Sequence, residues 1–301
     1  MEEFLDAPCV LCPRECKAYR RISPGFCGGG ASLRVARAML HFWEEPCVSG
    51  TNGSGTVFFS GCPLQCCYCQ NYKISAENYG KDITVERLGE IFLELQALGA
   101  HNINLVSPTQ YVPWIIQALD KVRPHLHIPV VYNTGGYEKA ETLRMLDGYV
   151  DIYLPDLKYR SAVLAKKYSG AEDYFLWASA AIEEMFRQTG PVIFGEDGLL
   201  KKGVVVRHMG LPGARQDSAR VLRWLAAHFS PDAVRVSVMS QYTPFYKSRE
   251  HKELSRRLST FEYNFLVEQA RTLGLDGYMQ EKSSAREEYT PDFDLRGIDP
   301  E

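Results

Sequence analysis

Three cysteines in the run Gly61-Cys62-Pro63-Leu64-Gln65-Cys66-Cys67-Tyr68-Cys69-Gln70-Asn71 stand at C-x3-C-x2-C spacing. Thiolates spaced in this way hold iron–sulfur clusters, and a 4Fe–4S cluster normally takes four of them. With three, one iron is left open, and an amino acid can chelate it through its amine and carboxylate. A sulfonium carried by that amino acid would lie beside the cluster, where an electron could break a C–S bond. The difficult chemistry belongs to the cofactor, and the protein supplies placement and dryness. The competing reading is structural zinc, which wants four closed tetrahedral ligands. Cys67 would have to be the fourth, and adjacent cysteines rarely both turn onto one ion.

The chain has nine cysteines, and none follows Cys69. Structural disulfides are rare in a reducing cytoplasm, where clustered cysteines more often bind metal. Cys47 and Cys67 read as small buried hydrophobes. Cys9, Cys12, Cys16 and Cys27 have spacing C-x2-C-x3-C-x10-C. Four ligands suggest a closed site, either structural zinc or a second iron–sulfur cluster. A small Gly-rich segment with little core of its own needs a staple, which favours zinc.

The elements that must position these residues follow from hydrophobic pattern. Thr56–Ser60 is β-branched and aromatic and reads as a buried strand leading into the three-cysteine run. A helix near Thr84–Leu98 follows, with Thr84 as N-cap. Strands are then expected at Ile103–Val106, Val130–Tyr132, Asp151–Leu154, Val204–Arg207 and Val234–Met239. Helices are expected at Tyr111–Val122, Lys139–Leu146, Ala162–Lys167, Tyr174–Gln188, Ser218–Phe229 and Phe261–Leu273. Short strands apolar on both faces suit a parallel sheet covered by helices. About six such units predict an α/β fold, a partial (β/α)6-type barrel, since a full one needs eight. The expected division is an N-terminal cysteine-rich segment, 1–50, a barrel, 51–280, and a tail, 281–301, in which residues 283–301 read as loose.

Ligands in parallel α/β folds sit at the carboxyl ends of strands. That rule nominates Ser107 and Thr109, Asn133 and Thr134, Asp156 and Lys158, His208, and Gln241 with Tyr242. Each has a plainer reading. Asp156 and Lys158 would also serve as a surface ion pair, Asn133-Thr134-Gly135-Gly136 as a turn, and His208 as a core histidine.

The three-cysteine run resembles the signature of the radical SAM superfamily, C-x3-C-x-aromatic-C, with Tyr68 at the aromatic position. The chain is most similar to the branch of pyruvate formate-lyase-activating enzymes. The segments that carry this are Cys9-Val-Leu-Cys12-Pro-Arg-Glu-Cys16, Gly25-Phe-Cys27-Gly28, Glu44-Glu45-Pro46, Gly53-Ser-Gly55, Phe58-Phe59-Ser60-Gly61-Cys62 and Cys69-Gln70-Asn71-Tyr72. They continue through Ser107-Pro108-Thr109-Gln110-Tyr111, Leu154-Pro155-Asp156-Leu157-Lys158-Tyr159, Arg207-His208, Leu211-Pro212-Gly213 and Met239-Ser240-Gln241-Tyr242. The resemblance covers roughly residues 7–280 and implies a radical SAM barrel with its cluster on Cys62, Cys66 and Cys69. It also implies S-adenosylmethionine (SAM) as cosubstrate, cleaved to a 5′-deoxyadenosyl radical. Asp156 and Lys158 resemble an Asp-x-Lys that addresses the methionyl end. The family's Gly-Gly-Glu turn is missing, so Ser107 or Thr109 would serve the methionyl amine. The implied reaction is hydrogen abstraction from a glycine of a partner glycyl radical enzyme. The alternative is modification of another peptide or a small molecule. A low-potential donor of the flavodoxin or ferredoxin type would supply the electron.

Composition limits the other classes. The 301 residues are 45% hydrophobic and 24% charged, with a formal net charge of -3. Neither nucleic acid nor an anionic membrane is indicated. No apolar run approaches the roughly 20 residues that span a bilayer. The acidic start MEEFLDAPCV lacks the apolar stretch of a secretory signal, so a cytoplasmic location is expected.

Overall fold

The computed structural model describes residues 2–280 and 291–300. Among the described residues, ten strands form one sheet: β1 Leu33–His41, β2 Ser54–Phe59, β3 Lys81–Ile83, β4 Ile103–Val106, β5 Val130–Thr134, β6 Ile152–Pro155, β7 Ile193–Phe194, β8 Leu200–Met209, β9 Arg235–Met239 and β10 Gly277–Met279. The order is β10-β9-β8-β6-β5-β4-β2-β1-β3, with β7 on β8. Neighbours from β2 to β10 along this order pair in parallel. β1 is antiparallel to both β2 and β3, and β7 is antiparallel to β8. This is a partial α/β barrel of the expected kind, with a seventh parallel strand, β10, added to the six expected.

Helices connect the parallel strands. Val85–Ala97 begins where the Thr84 side chain accepts the Arg87 N–H, so the expected cap forms. Val112–Val122, Ala140–Arg144, Tyr174–Thr189 and Arg215–His228 follow β4, β5, β6 and β8. Successive strand residues point to opposite faces, and the burial separates the two sets cleanly. Val130, Tyr132, Tyr153, Val204 and Val206 join the large core beneath the helices, with Leu88, Phe92, Ile115 and Leu222. Val131, Ile152, Leu154 and Val205 face the other way and cluster with Cys47 and Val48 of the short helix Pro46–Ser49. These apolar residues close the inner face below the polar strand ends. Cys47, 3% exposed, is a core residue there.

One expectation fails at the C-terminus. Residues 291–300 are not loose: they run along β1, where Leu295 and Arg296 exchange backbone hydrogen bonds with Ala36 and Ala38. Phe293 meets the Phe58 ring edge-on, and Ile298 is buried. Residues 281–290 and 301, also assigned to the tail, lie outside the described residues.

Candidate active site

β2 ends at Phe59, and the three-cysteine loop starts at once. Gly61 has φ +86°, and a Cβ there would fall 2.2 Å from the Cys27 carbonyl oxygen. Glycine is therefore required for the close approach. Cys62, Cys66 and Cys69 all line one large cavity at the carboxyl ends of the strands, whereas Cys67 does not. Each of the three sulfurs receives a donor: Leu64 N–H to Cys62 (3.4 Å), the Ser169 hydroxyl to Cys66 (3.0 Å) and the Ser75 hydroxyl to Cys69 (3.3 Å). Such donors tune iron–sulfur clusters. Burial pushes the Cys62 thiol up to about 12 and the Cys69 thiol up to about 11. Metal binding must therefore displace protons from these groups.

The opposite wall comes from alternate residues of the parallel strands. Phe58, Val106, Asn133, Asp156, Arg207 and Met239 share the inner face and line the cavity. Asp156 accepts Lys158 Nζ at one oxygen and Arg207 Nε at the other, the latter at 2.9 Å. Arg207 also donates to Asn133 Oδ1 (2.7 Å) and Glu44 Oε2 (3.1 Å). Glu44 Oε1 accepts from Asn104 (3.2 Å) and Asn133 (3.1 Å). Burial alone would raise the Asp156 carboxyl, but Arg207 and Lys158 hold it below its usual range. Burial dominates at Glu44 and Glu45 and raises both, Glu45 to about 7, against the pull of Arg207. The wall is a crossed set of charges in which Asp156, Arg207, Asn133 and Glu44 are joined, while Glu45 Oε2 and Asn104 Oδ1 are buried without a partner.

The residues nominated from sequence divide into three groups. Tyr68, Ser107, Asn133, Thr134, Asp156, Lys158, Gln241 and Tyr242 line the cavity. Ser107 adopts φ +57°, and the Tyr68 hydroxyl lies 2.6 Å from that of Tyr159. Thr109 does not reach the main cavity; it is 2% exposed and donates to Glu138 at 2.6 Å. His208 is a correction. It is 1% exposed, its Nδ1 lies 2.7 Å from the Leu157 carbonyl, and it lies on the helix-covered side. The reason is strand alternation: Arg207 faces inward, so His208 faces outward. Burial lowers His208 to about 4, so it stays neutral at pH 7.

Glu44, Glu45 and Arg207 are the charged lining residues missed as candidates. Two signals mark them. Arg207 shares strand parity with the apolar inner residue Val205, and the adjacent carboxylates Glu44 and Glu45 stand just before Pro46 and the buried Cys47-Val48.

Behind the cavity, the Glu138 carboxyl is fully buried and accepts from Thr109, Thr134 and Tyr132. Burial raises it to about 7 despite those donors. The unfolded carboxyl ionises near 4.5, so between that pH and about 7 the folded chain keeps a proton that the unfolded chain has lost. Stability from this group therefore falls as pH rises through the window, and is level above it. Glu138→Gln removes the penalty. By urea denaturation, its stability relative to the parent is expected to improve by roughly 2 kcal/mol from pH 5 to pH 8. A pH-independent difference would refute the assignment.

A sequence profile described as "Radical SAM superfamily" matches residues 56–225, more than half of the chain. This chain belongs to the radical SAM superfamily. Membership implies an enzyme with a 4Fe–4S cluster and SAM. A protein of Methanocaldococcus jannaschii named "Uncharacterized protein MJ0674" is 27% identical over 277 residues, covering 89% of this radical SAM chain and 75% of that one. Among solved structures, methylornithine synthase (PylB) aligns with TM-score 0.49 and 17% identity over 71% of this chain and 60% of its own. SuiB of Streptococcus suis bound to S-adenosylmethionine aligns with TM-score 0.43 and 14% identity, over 73% and 45%. The chain thus spans less than two thirds of either solved neighbour. Among the described residues, no helix is long and apolar enough to cross a membrane.

Proposed function

We propose that this radical SAM enzyme activates a partner protein by abstracting hydrogen from one of its glycines. Cys62, Cys66 and Cys69 would hold the 4Fe–4S cluster, since their three sulfurs share a cavity with a polar, strand-end wall. When bound, the cluster supplies the electron that breaks a C–S bond of SAM. Asp156 and Lys158 would orient the charged methionyl end. Asn133, Thr134 and Ser107 are placed for its amine, carboxylate or ribose, and Tyr68, Gln241 and Tyr242 for the adenosyl side. Thr109 would act through Glu138 as a positioning residue. Cys9, Cys12, Cys16 and Cys27 form a second metal site in the segment 1–50, which precedes the barrel at 51–280 and the tail at 281–301.

The observation that carries this reading is the Asp156–Lys158 pair. Both side chains are 17% exposed and meet on the cavity wall, not on the outer surface. That placement supports the likeness to activating enzymes over a surface ion pair. The electron donor would be of the flavodoxin or ferredoxin type, and the setting cytoplasmic. Electron paramagnetic resonance of a candidate glycyl radical enzyme, incubated with the reduced protein and SAM, tests the substrate. A stable glycyl doublet dependent on SAM is expected. SAM turnover with every such partner silent would transfer the reading to another peptide or a small molecule.

A further inference from the structure

Cys9, Cys12, Cys16 and Cys27 line one small cavity. Bare glycine backbone presses on the sulfurs. A Cβ on Gly25 would lie 3.2 Å from Cys16 Sγ and 3.6 Å from Cys27 Sγ, and one on Gly29 would lie 3.3 Å from Cys27 Sγ. The Gly29 N–H donates to Cys27 Sγ at 3.4 Å, and Arg20 Nη2 to Cys9 Sγ at 3.3 Å. Arg20 is 3% exposed and its Nε has no partner. Its other donor contact is neutral, to the Gln110 carbonyl at 2.6 Å. Among the described residues no carboxylate pairs with it. A buried guanidinium needs an opposite charge, and metal-bound thiolates are the groups present that supply one.

The spacing separates a cluster from a single ion. Zinc holds sulfur at about 2.3 Å, which draws four sulfurs to within roughly 4 Å of one another. Among the described residues, no three Cys, His, Asp or Glu side chains are gathered closely enough to hold one metal ion. The same is true of Cys62, Cys66 and Cys69, where superfamily membership calls for four irons. Thiols that surround a cavity without converging suit a cluster in both places.

The two cysteine sites also share a wall. The Cys27 carbonyl accepts the Cys62 N–H at 3.1 Å, and the Phe26 carbonyl accepts Gln65 Nε2 at 2.8 Å. One hydrogen bond therefore joins a ligand of one site to a ligand of the other. On its opposite side, Cys16 is exposed to solvent.

We infer that Cys9, Cys12, Cys16 and Cys27 hold a second iron–sulfur cluster that passes single electrons to the Cys62–Cys69 loop across the Cys27–Cys62 hydrogen bond. This rests on the reading of the four cysteines as a metal site. The ferredoxin- or flavodoxin-class donor is oxidised by one electron. The second cluster is reduced and then reoxidised by it, and the loop cluster is reduced by the same one electron. No proton moves.

The test is metal content and electron paramagnetic resonance of two anaerobically reconstituted variants. The Cys62→Ser/Cys66→Ser/Cys69→Ser variant is expected to keep about four iron and four sulfide per chain and to give a reduced-cluster signal with dithionite. The Cys9→Ser/Cys12→Ser/Cys16→Ser/Cys27→Ser variant reads the same quantity by difference, falling from about eight iron to about four, should the first not fold. The fully reduced parent protein is expected to show a signal broadened by spin coupling, beyond the sum of the two variants. About one zinc per chain with no iron in the first variant would overturn the cluster and leave the metal site standing. No metal would overturn both. Two clusters without spin coupling would overturn the relay.

Discussion

Cys69→Ala is expected to reduce 5′-deoxyadenosine formation to the level of a protein-free control. On the proposed assignment the substitution leaves two of the three thiolates that this loop gives the cluster, and it strands the Ser75 hydroxyl that donates to the Cys69 sulfur. Iron content should fall by about four per chain. Cys67→Ala is the matched control. Cys67 does not line the cavity, its side chain packs against the core as a small hydrophobe, and its backbone N–H, given to the Tyr168 carbonyl at 2.8 Å, is kept by alanine. Its iron content and turnover should equal those of the parent protein. Loss in Cys67→Ala with retention in Cys69→Ala would reverse the ligand assignment.

Arg207→Met is expected to damage both stability and SAM binding. Arg207 is the cation shared by Asp156 and Glu44, with their three side chains 10–17% exposed. Without it, two carboxylates remain against Lys158 alone, and Asn133 loses the donor that fixes its amide. Removing one partner of a buried pair costs about 3–5 kcal/mol. The unfolding midpoint in urea should shift accordingly. A SAM pocket that has lost its positioning charge should bind about 10–100-fold more weakly, by analogy with the loss of outer partners at metal sites. Arg207→Lys restores the charge but not the fork that serves three acceptors, and should recover only part of both losses. Unchanged stability and SAM affinity in Arg207→Met would show that the network does not support the pocket.

Sequence pattern was most informative where burial is two-sided. Ile103–Val106 matches β4 at both ends because a four-residue run buried throughout admits few other readings. The helix Val112–Val122 was placed to within one residue because its apolar face recurs at helical spacing. β1 was missed because Arg34 and Arg37 interrupt its apolar residues, and its place is set by pairing with β2 and β3 rather than by its own pattern. β3, β7 and β10 have only two or three residues each, too few to show a period.

The site shows the same division. Strand ends were legible, so Asn133, Asp156 and Lys158 were found. Facing is harder to read: Arg207, not His208, shares the inner parity of Val205. Glu44 was out of reach for a different reason. It enters the cavity from the segment after β1, and only the folded chain brings it to Asn104, Asn133 and Arg207.

Cys62, Cys66 and Cys69 are proposed to hold a cluster that cleaves SAM reductively. The most direct measurement is anaerobic reconstitution with iron and sulfide, reduction by dithionite and quantification of products after SAM is added. Equal amounts of 5′-deoxyadenosine and methionine are predicted. An iron-loaded protein that forms neither would contradict it.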